Sequence, residues 1–315
     1  MTIETEYRPS EADIKPFKRN WLKYQFFRSL VKLFPANAEV IGLENIEEVR
    51  NLLADGQIVT ALGNHKSIAD TYDIFSAAIG YKFEDLTKRT GFTMSVAYTR
   101  GPLKHILNNV VDFIDIVPHT KSNYPKRKEV NASARFRAQN RKPGTILEIM
   151  PEGERIEGRM GKAQRGASNF WHGENDSTDN RWLLPAAVQG TEYQWPRERG
   201  IKGAVNFVFG GGRLLPARLI FGKPVRVKYI DKAAESYATE MDKDSQNLGA
   251  VDPEKMKDLR VDLVMLIITK LQLDNKGEEY VSADYLKLTE ELKIHPLSQA
   301  LNKLGYFGSP QKQGV

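Results

Sequence analysis

Short apolar runs and helical periodicities alternate along this chain. Val40-Ile41-Gly42-Leu43 predicts a strand, and Glu44 to Ala54 predicts a helix that Asp55-Gly56 stops. Ile58-Val59-Thr60-Ala61-Leu62 is a buried strand by length and composition. Ile74 to Ile79 reads as a helix ending at Gly80. Phe92 to Tyr98, Val111 to Val117 and Thr145 to Met150 predict further strands, with a short helix opening at Pro102. Trp182 to Val188 returns to the sheet, and Ala204 to Phe209 and Ala217 to Phe221 flank Gly210-Gly211-Gly212, read as a turn between strands. Gly222-Lys223-Pro224 leads into a run from Val225 to Tyr229, and from Asp231 onward the chain is helical and more acidic, including Pro253 to Leu273. Strands alternating with helices predict an α/β fold. The expectation is a mixed, partly parallel sheet flanked by helices, with an N-terminal helix and a C-terminal helical appendage. The predicted division is a tail and basic aromatic helix over 1–39, an α/β domain over 40–230, and the appendage over 231–315.

The N-terminal helix is predicted over Phe17 to Phe34, where Pro35 stops it. It mixes aromatics with Lys18, Arg19, Lys23, Arg28 and Lys32, and its apolar residues fall on two sides. That composition suits a membrane interface, and equally a helix packed on the domain with its cationic heads reaching solvent. Met1 to Glu6 is acidic and polar, unlike a secretory signal. Val261 to Leu273 is too short for a membrane span and carries Asp262 and Lys270. The expectation is a soluble or peripheral protein.

Composition narrows the chemistry. Of 315 residues 41% are hydrophobic, enough for one large core or two domains. Cysteine is absent, which excludes a disulfide framework, a thiolate nucleophile and a cysteine zinc site. The net charge of +6 is modest, so the placement of charge matters more than its sum. Between His119 and Lys142 stand Lys121, Lys126, Arg127, Lys128, Arg135, Arg137, Arg141 and Lys142 against the single acid Glu129. A charge run is commonly a solvated helix face, but this imbalance suits an anionic partner. Aromatics are sparse there and no nucleic-acid module is visible, so no nucleic-acid partner is expected.

Two stretches carry candidate chemistry. Gly63-Asn64-His65-Lys66-Ser67-Ile68-Ala69-Asp70 joins a strand to a helix, which places His65 in a loop at a strand's carboxyl end and Asp70 in the first helical turn. The same residues fit a helix-start signature, with Ser67 as N-cap and Asp70 as its reciprocal partner. The second stretch, Glu148 to Arg159, ends a buried strand in a loop holding Glu152, Gly153, Arg155 and Arg159. In a parallel sheet it emerges on the same edge as the His65 loop. Arginine's planar fork suits a phosphate, although a solvated loop of cancelling charges fits the composition too. His105, His119, His172 and His295 stand in no metal-ligand or carboxylate spacing, so a core or surface role is expected for each, and no metal site.

Asn64-His65-x4-Asp70 followed by Pro151-Glu152-Gly153-x-Arg155 resembles the glycerophospholipid acyltransferase family. Gly42-Leu43-Glu44-Asn45-Ile46, Lys162 to Ala167, Leu184 to Val188 and Gly222-Lys223-Pro224 also stand in that family's order, so the resemblance covers about residues 40–230. The chain departs from it where Glu154 replaces the threonine of the second motif, and where no arginine follows Ile114-Asp115-Ile116-Val117.

The resemblance implies an O-acyltransferase of phospholipid synthesis. Its fatty acyl group comes from a thioester, acyl-CoA or acyl carrier protein, and goes to a hydroxyl of glycerol-3-phosphate or lysophosphatidate. His65 is then the general base and Asp70 the group that orients its imidazole. Glu152, Gly153, Arg155, Arg159 and Lys121 are then substrate-binding, with Arg155 on the acceptor's phosphate. No cofactor is implied beyond the thioester co-substrate. The expected location is the cytoplasm, peripheral on the inner face of an anionic membrane, an expectation carried by the basic aromatic helix at 17–34 and the basic segment at 121–142. Two alternatives stand beside it: a relative acting on a non-glycerophosphate acceptor, and a non-catalytic lipid-binding homologue.

Overall fold

The computed structural model describes residues 19–64, 67, 69–95, 110–117, 126–152, 160–173, 177–195, 203, 205–207, 209–244, 252–281 and 286–287, the side chains of 94, 95 and 240–244 excepted. Its centre is an eight-stranded mixed sheet. The strands are β1 (Ala38–Ile41), β2 (Ile58–Gly63), β3 (Thr90–Ser95), β4 (Asp112–Ile116), β5 (Ile146–Ile149), β6 (Arg181–Gln189), β7 (Ala217–Phe221) and β8 (Val225–Arg226). They lie in the order β1-β7-β6-β2-β5-β3-β4, with β8 also paired to β6. From β6 to β4 every pairing is parallel, whereas β7 and β8 run antiparallel to β6. The α/β class and partly parallel sheet expected from the sequence are therefore the observed ones.

The helices are α1 (Trp21–Leu33), α2 (Leu43–Ala54), α3 (Ala69–Gly80), α4 (Glu84–Thr87), α5 (Arg127–Gln139), α6 (Thr191–Gln194), α7 (Val227–Asp244) and α8 (Pro253–Asp274). One face of the sheet packs on α2 and α3 through Val49, Leu53, Ala77 and Ala78 against Val59, Ile146, Leu184 and Val188. The other face packs on α5, α7 and α8 through Ala134, Ala138, Ile230, Ala234 and Val264 to Ile268 against Leu62, Leu147 and Leu183. The alternation along each strand sends successive side chains to opposite layers. The middle of α8 is apolar on nearly every side because it is enclosed, with Val261 and every residue from Leu263 to Thr269 buried. The helices after residue 231 thus form much of one layer over the sheet.

Several local choices follow from close contacts. Gly42 holds φ at 83°, and a Cβ there would stand 2.1 Å from the carbonyl oxygen of Phe221. The Asn45 side chain donates to that same oxygen at 2.8 Å, so the Gly-Leu-Glu-Asn stretch clasps the end of β7 as α2 begins. Pro185 sits inside β6 with no N–H to give. It falls where the neighbour on that side breaks between β7 and β8, and its carbonyl is met by the Gly222 N–H at 2.8 Å.

Two sequence expectations are corrected. Residues 205–207 are helical rather than a strand, with Gly211 in the left-handed region ahead of a short 3-10 turn, Gly212–Leu214. The helix expected from Asp231 onward begins earlier, at Val227, and only Val225–Arg226 of the run before it is strand. Ile230, Ala233, Ala234 and Ala238 are buried at helical spacing, and this longer stripe overrides the brief alternation before it. The helix expected at Pro102 lies outside the described residues.

Candidate functional site at the carboxyl edge of the sheet

Strands β2 and β5 are neighbours and parallel, with Leu62 opposite Ile149. Their following loops therefore leave the sheet at one edge, which brings the Asn64–Asp70 turn beside Pro151-Glu152. Asn64, at the end of β2, is fully buried and clasps β6. Its side-chain N–H donates to the Val188 carbonyl at 2.9 Å, and its oxygen accepts from the Val188 N–H at 2.8 Å. Gln272 of α8 donates to the same Asn64 oxygen at 3.2 Å, while its own oxygen accepts from the Gln189 side chain at 2.7 Å. The chain entering the turn is thus fixed from β6 and α8 together.

The turn ends in a capping box. Ser67 Oγ accepts from the Ala69 N–H at 3.1 Å and donates to the Trp195 carbonyl at 2.9 Å. The Asp70 carboxylate reaches back to the Ser67 N–H, at 3.1 Å and 3.0 Å from its two oxygens. The helix-start reading of these residues is therefore the observed local structure. It does not exhaust Asp70, which also accepts a short hydrogen bond from the Thr191 hydroxyl at the start of α6. Gly190 makes that approach possible: its φ is 83°, and a Cβ there would stand 2.5 Å from the Pro216 carbonyl oxygen. Asp70 is fully buried, held on two sides, at the amino end of α3 where the helix dipole favours a negative charge.

Two more carboxyls surround it. Asp73 follows at helical spacing, is fully buried, and neither of its oxygens has a hydrogen-bond partner among the described residues. Burial and then the Asp70 charge push its pKa well above the carboxylate range. Glu148 alternates with Ile146 on the face of β5 turned toward α3, between Ala61 of β2 and Phe92 of β3. It is surrounded by protein yet keeps some accessible surface. Burial, with a smaller contribution from Asp70, pushes its pKa up to about 8. Below that pH it is a neutral acid able to donate a hydrogen bond.

The remaining candidates are placed as follows. Glu152 is buried and accepts from the Gly161 N–H at 2.6 Å, while the Pro151 carbonyl accepts from the Gln164 N–H at 2.7 Å. These bonds tie together the two ends of the loop that carries Gly153, Arg155 and Arg159. Those three residues, together with His65 and Lys121, lie outside the described residues. Part of the basic segment is committed within the fold. Arg137 pairs with Asp112 of β4 at 2.9 Å and Arg141 with the same carboxylate at 3.6 Å. Arg165, in the stretch after the second motif, is engaged by Asp258 and Glu254 of α8 at 2.6 and 3.5 Å. His172 is a core residue, its Nδ1 3.0 Å from the Ser168 carbonyl and its Nε2 3.1 Å from Asp231, which also pairs with Arg260 at 2.8 Å.

Sequence reasoning missed Thr191, Asp73, Glu148 and Gln272 as parts of this region. Gln272, between Leu271 and Leu273 at the end of an apolar stretch, carried a signal: a polar residue on a buried face requires a partner. Thr191 and Asp73 carried none.

Fold and site together define an α/β protein whose candidate centre is a buried carboxylate at the carboxyl edge of parallel strands. No family model matches the chain, and a search of curated proteins finds no match either. No group of three or more histidine, aspartate or glutamate side chains that could hold a metal occurs among the described residues.

Proposed function

We propose that this chain is an O-acyltransferase that moves a fatty acyl group from a thioester, acyl-CoA or acyl carrier protein, to a hydroxyl of glycerol-3-phosphate or lysophosphatidate. The observation that carries the reading is Asp70: a buried carboxylate held by the Ser67 N–H and the Thr191 hydroxyl, five residues after His65. The edge where it stands is also where the Pro151-Glu152 loop leaves β5.

In this reading His65 takes the proton from the acceptor hydroxyl as its oxygen attacks the thioester carbonyl carbon. Asp70 fixes the imidazole tautomer and stabilises the imidazolium. The tetrahedral oxyanion is met by backbone N–H groups of the helix start or of the loop at Gly153. It collapses with cleavage of the carbon–sulfur bond, and the imidazolium returns its proton to the departing thiolate. Arg155, with Arg159 and Lys121, binds the acceptor's phosphate. No acyl-enzyme forms. Among the described residues no helix is long and apolar enough to cross a membrane, and the reading places the protein peripherally at the cytoplasmic face of an anionic membrane, where its acyl products partition.

The test is thiol release by the purified chain and its His65→Ala and Asp70→Asn variants. Glycerol-3-phosphate and lysophosphatidate are each supplied with acyl-CoA and with acyl carrier protein. The expectation is turnover of at least one pair, with His65→Ala lowering it by at least about a hundredfold. Turnover of no pair, or a His65→Ala enzyme as active as the parent, removes the reading.

A further inference from the structure

Helix α1 has two apolar faces, and the core uses only one. Tyr24 and Val31 are buried, Phe27 meets Phe75 edge-to-face at 5.3 Å, and Arg28 pairs with Glu84 at 2.7 Å. On the opposite side Leu22, Phe26 and Leu33 are 72%, 70% and 71% exposed. With Ser29 they follow the four-three-four spacing of a single helical stripe, and Trp21 stands exposed beside its start. Packing gives no reason for large side chains there.

The stripe does not end with the helix. Phe34, which caps α1, meets the ring of Phe209 at 5.9 Å, and the Asn37 side chain donates to the Leu214 carbonyl at 3.0 Å. Phe209 is 75% exposed, and Val205, Leu214 and Leu215 are exposed as well. Neither α1 nor residues 205–215 contains an acid. The charges they bring to this side are Lys23, Lys32 and the half-buried Arg213, the last lying over the Phe34 ring at 5.4 Å, its Nε and Nη1 buried and without an acceptor among the described residues.

We propose that α1 and the 205–215 turn form one face that docks on an anionic lipid bilayer. Exposed aromatic and aliphatic side chains rimmed by cations, with no acid among them, fit the boundary between acyl chains and anionic headgroups. A second copy fits poorly, because facing two such surfaces sets Lys23, Lys32 and Arg213 against their own kind. The face also shares a wall with the candidate site. Tyr72, two residues beyond Asp70, packs edge-on against Phe207 at 5.0 Å and bonds the Phe34 carbonyl. Trp195, whose carbonyl holds Ser67, packs on the same Phe207 at 5.6 Å. Docking by this face sets the turn before Asp70 close to the membrane, whichever reaction the site performs.

The test reads partition and not turnover. The full-length chain is sedimented with phosphatidylcholine vesicles, with and without phosphatidylglycerol, beside Leu22→Ser/Phe26→Ser, Phe209→Ser and Lys32→Gln variants. Binding of the parent to anionic vesicles is expected, with partition reduced at least about tenfold by Leu22→Ser/Phe26→Ser. Phe209→Ser is expected to reduce it on both vesicle types, and Lys32→Gln only where phosphatidylglycerol is present. Quenching of tryptophan fluorescence by brominated lipid, lost in Trp21→Phe, reads the same contact should a serine variant melt early. Three results overturn the proposal: no binding by the parent, equal binding by the apolar variants, or a dimer seen by light scattering that Phe26→Ser dissolves.

Discussion

Glu148 makes the group of enclosed carboxyls around Asp70 accountable in a titration. An ordinary glutamate ionises near pH 4.5, whereas this one is held up to about 8 by burial and by Asp70. Between those values the folded protein binds a proton that the unfolded chain has released. Stability therefore falls as pH rises through that window, is unaffected by this group below it, and falls no further above it. A shift of roughly three to four units corresponds to about 5 kcal/mol at most, at roughly 1.4 kcal/mol per unit. Glu148 keeps some accessible surface, so the expected loss is about 2–3 kcal/mol. Glu148→Gln keeps the shape and cannot ionise. Urea unfolding of parent and variant at pH 4.5, 6, 7 and 8.5 isolates the contribution as a difference, which also cancels most of Asp73. The variant's advantage over the parent is expected to widen steadily from the lowest pH to about 8. A gap constant across the series refutes the assignment of a protonated Glu148 to the folded state.

Thr191→Val removes the hydroxyl that Asp70 accepts while keeping the shape. A hydrogen bond to a charged group contributes about 1.5–3 kcal/mol, so a loss of that order in urea unfolding is expected, together with at least about tenfold in any turnover that depends on Asp70; Thr191→Ser should restore both. Asp112→Ala leaves Arg137 and the buried Arg141 without their carboxylate, and a loss of about 3 kcal/mol or more in urea unfolding is expected. An unchanged midpoint would mean those arginines find other acceptors.

Much of the frame was legible because parallel strands enclosed on both faces are short, apolar and punctuated. The runs at Ile58, Thr145 and Trp182 became β2, β5 and β6 with little change. Errors fell where a pattern was brief. Residues 204–209 hold too few positions to separate strand from helix, and the brief alternation from Val225 to Tyr229 hid the true start of α7 at Val227, four residues ahead of the expected one. Helix α1 looked ambiguous because its apolar residues fall on two sides, and both sides are real: one packs, one faces outward. Within the candidate site, Ser67 and Asp70 were readable as a local capping box. The Thr191 hydroxyl arrives from 121 residues away and the Gln272 amide from 208, and no local pattern announces either.

The clasp on Asn64 bears on how the chain is made. Strand β2 lies between β5 and β6, both synthesised after it, and Asn64 takes its final bond from Gln272. Until those two strands have left the ribosome, β2 has no neighbour to pair with. The clasp on Asn64 is complete only once α8 has emerged. Pairing of β2 is therefore deferred until β5 and β6 have emerged, and for that interval β2 is an apolar edge open to association with other nascent chains.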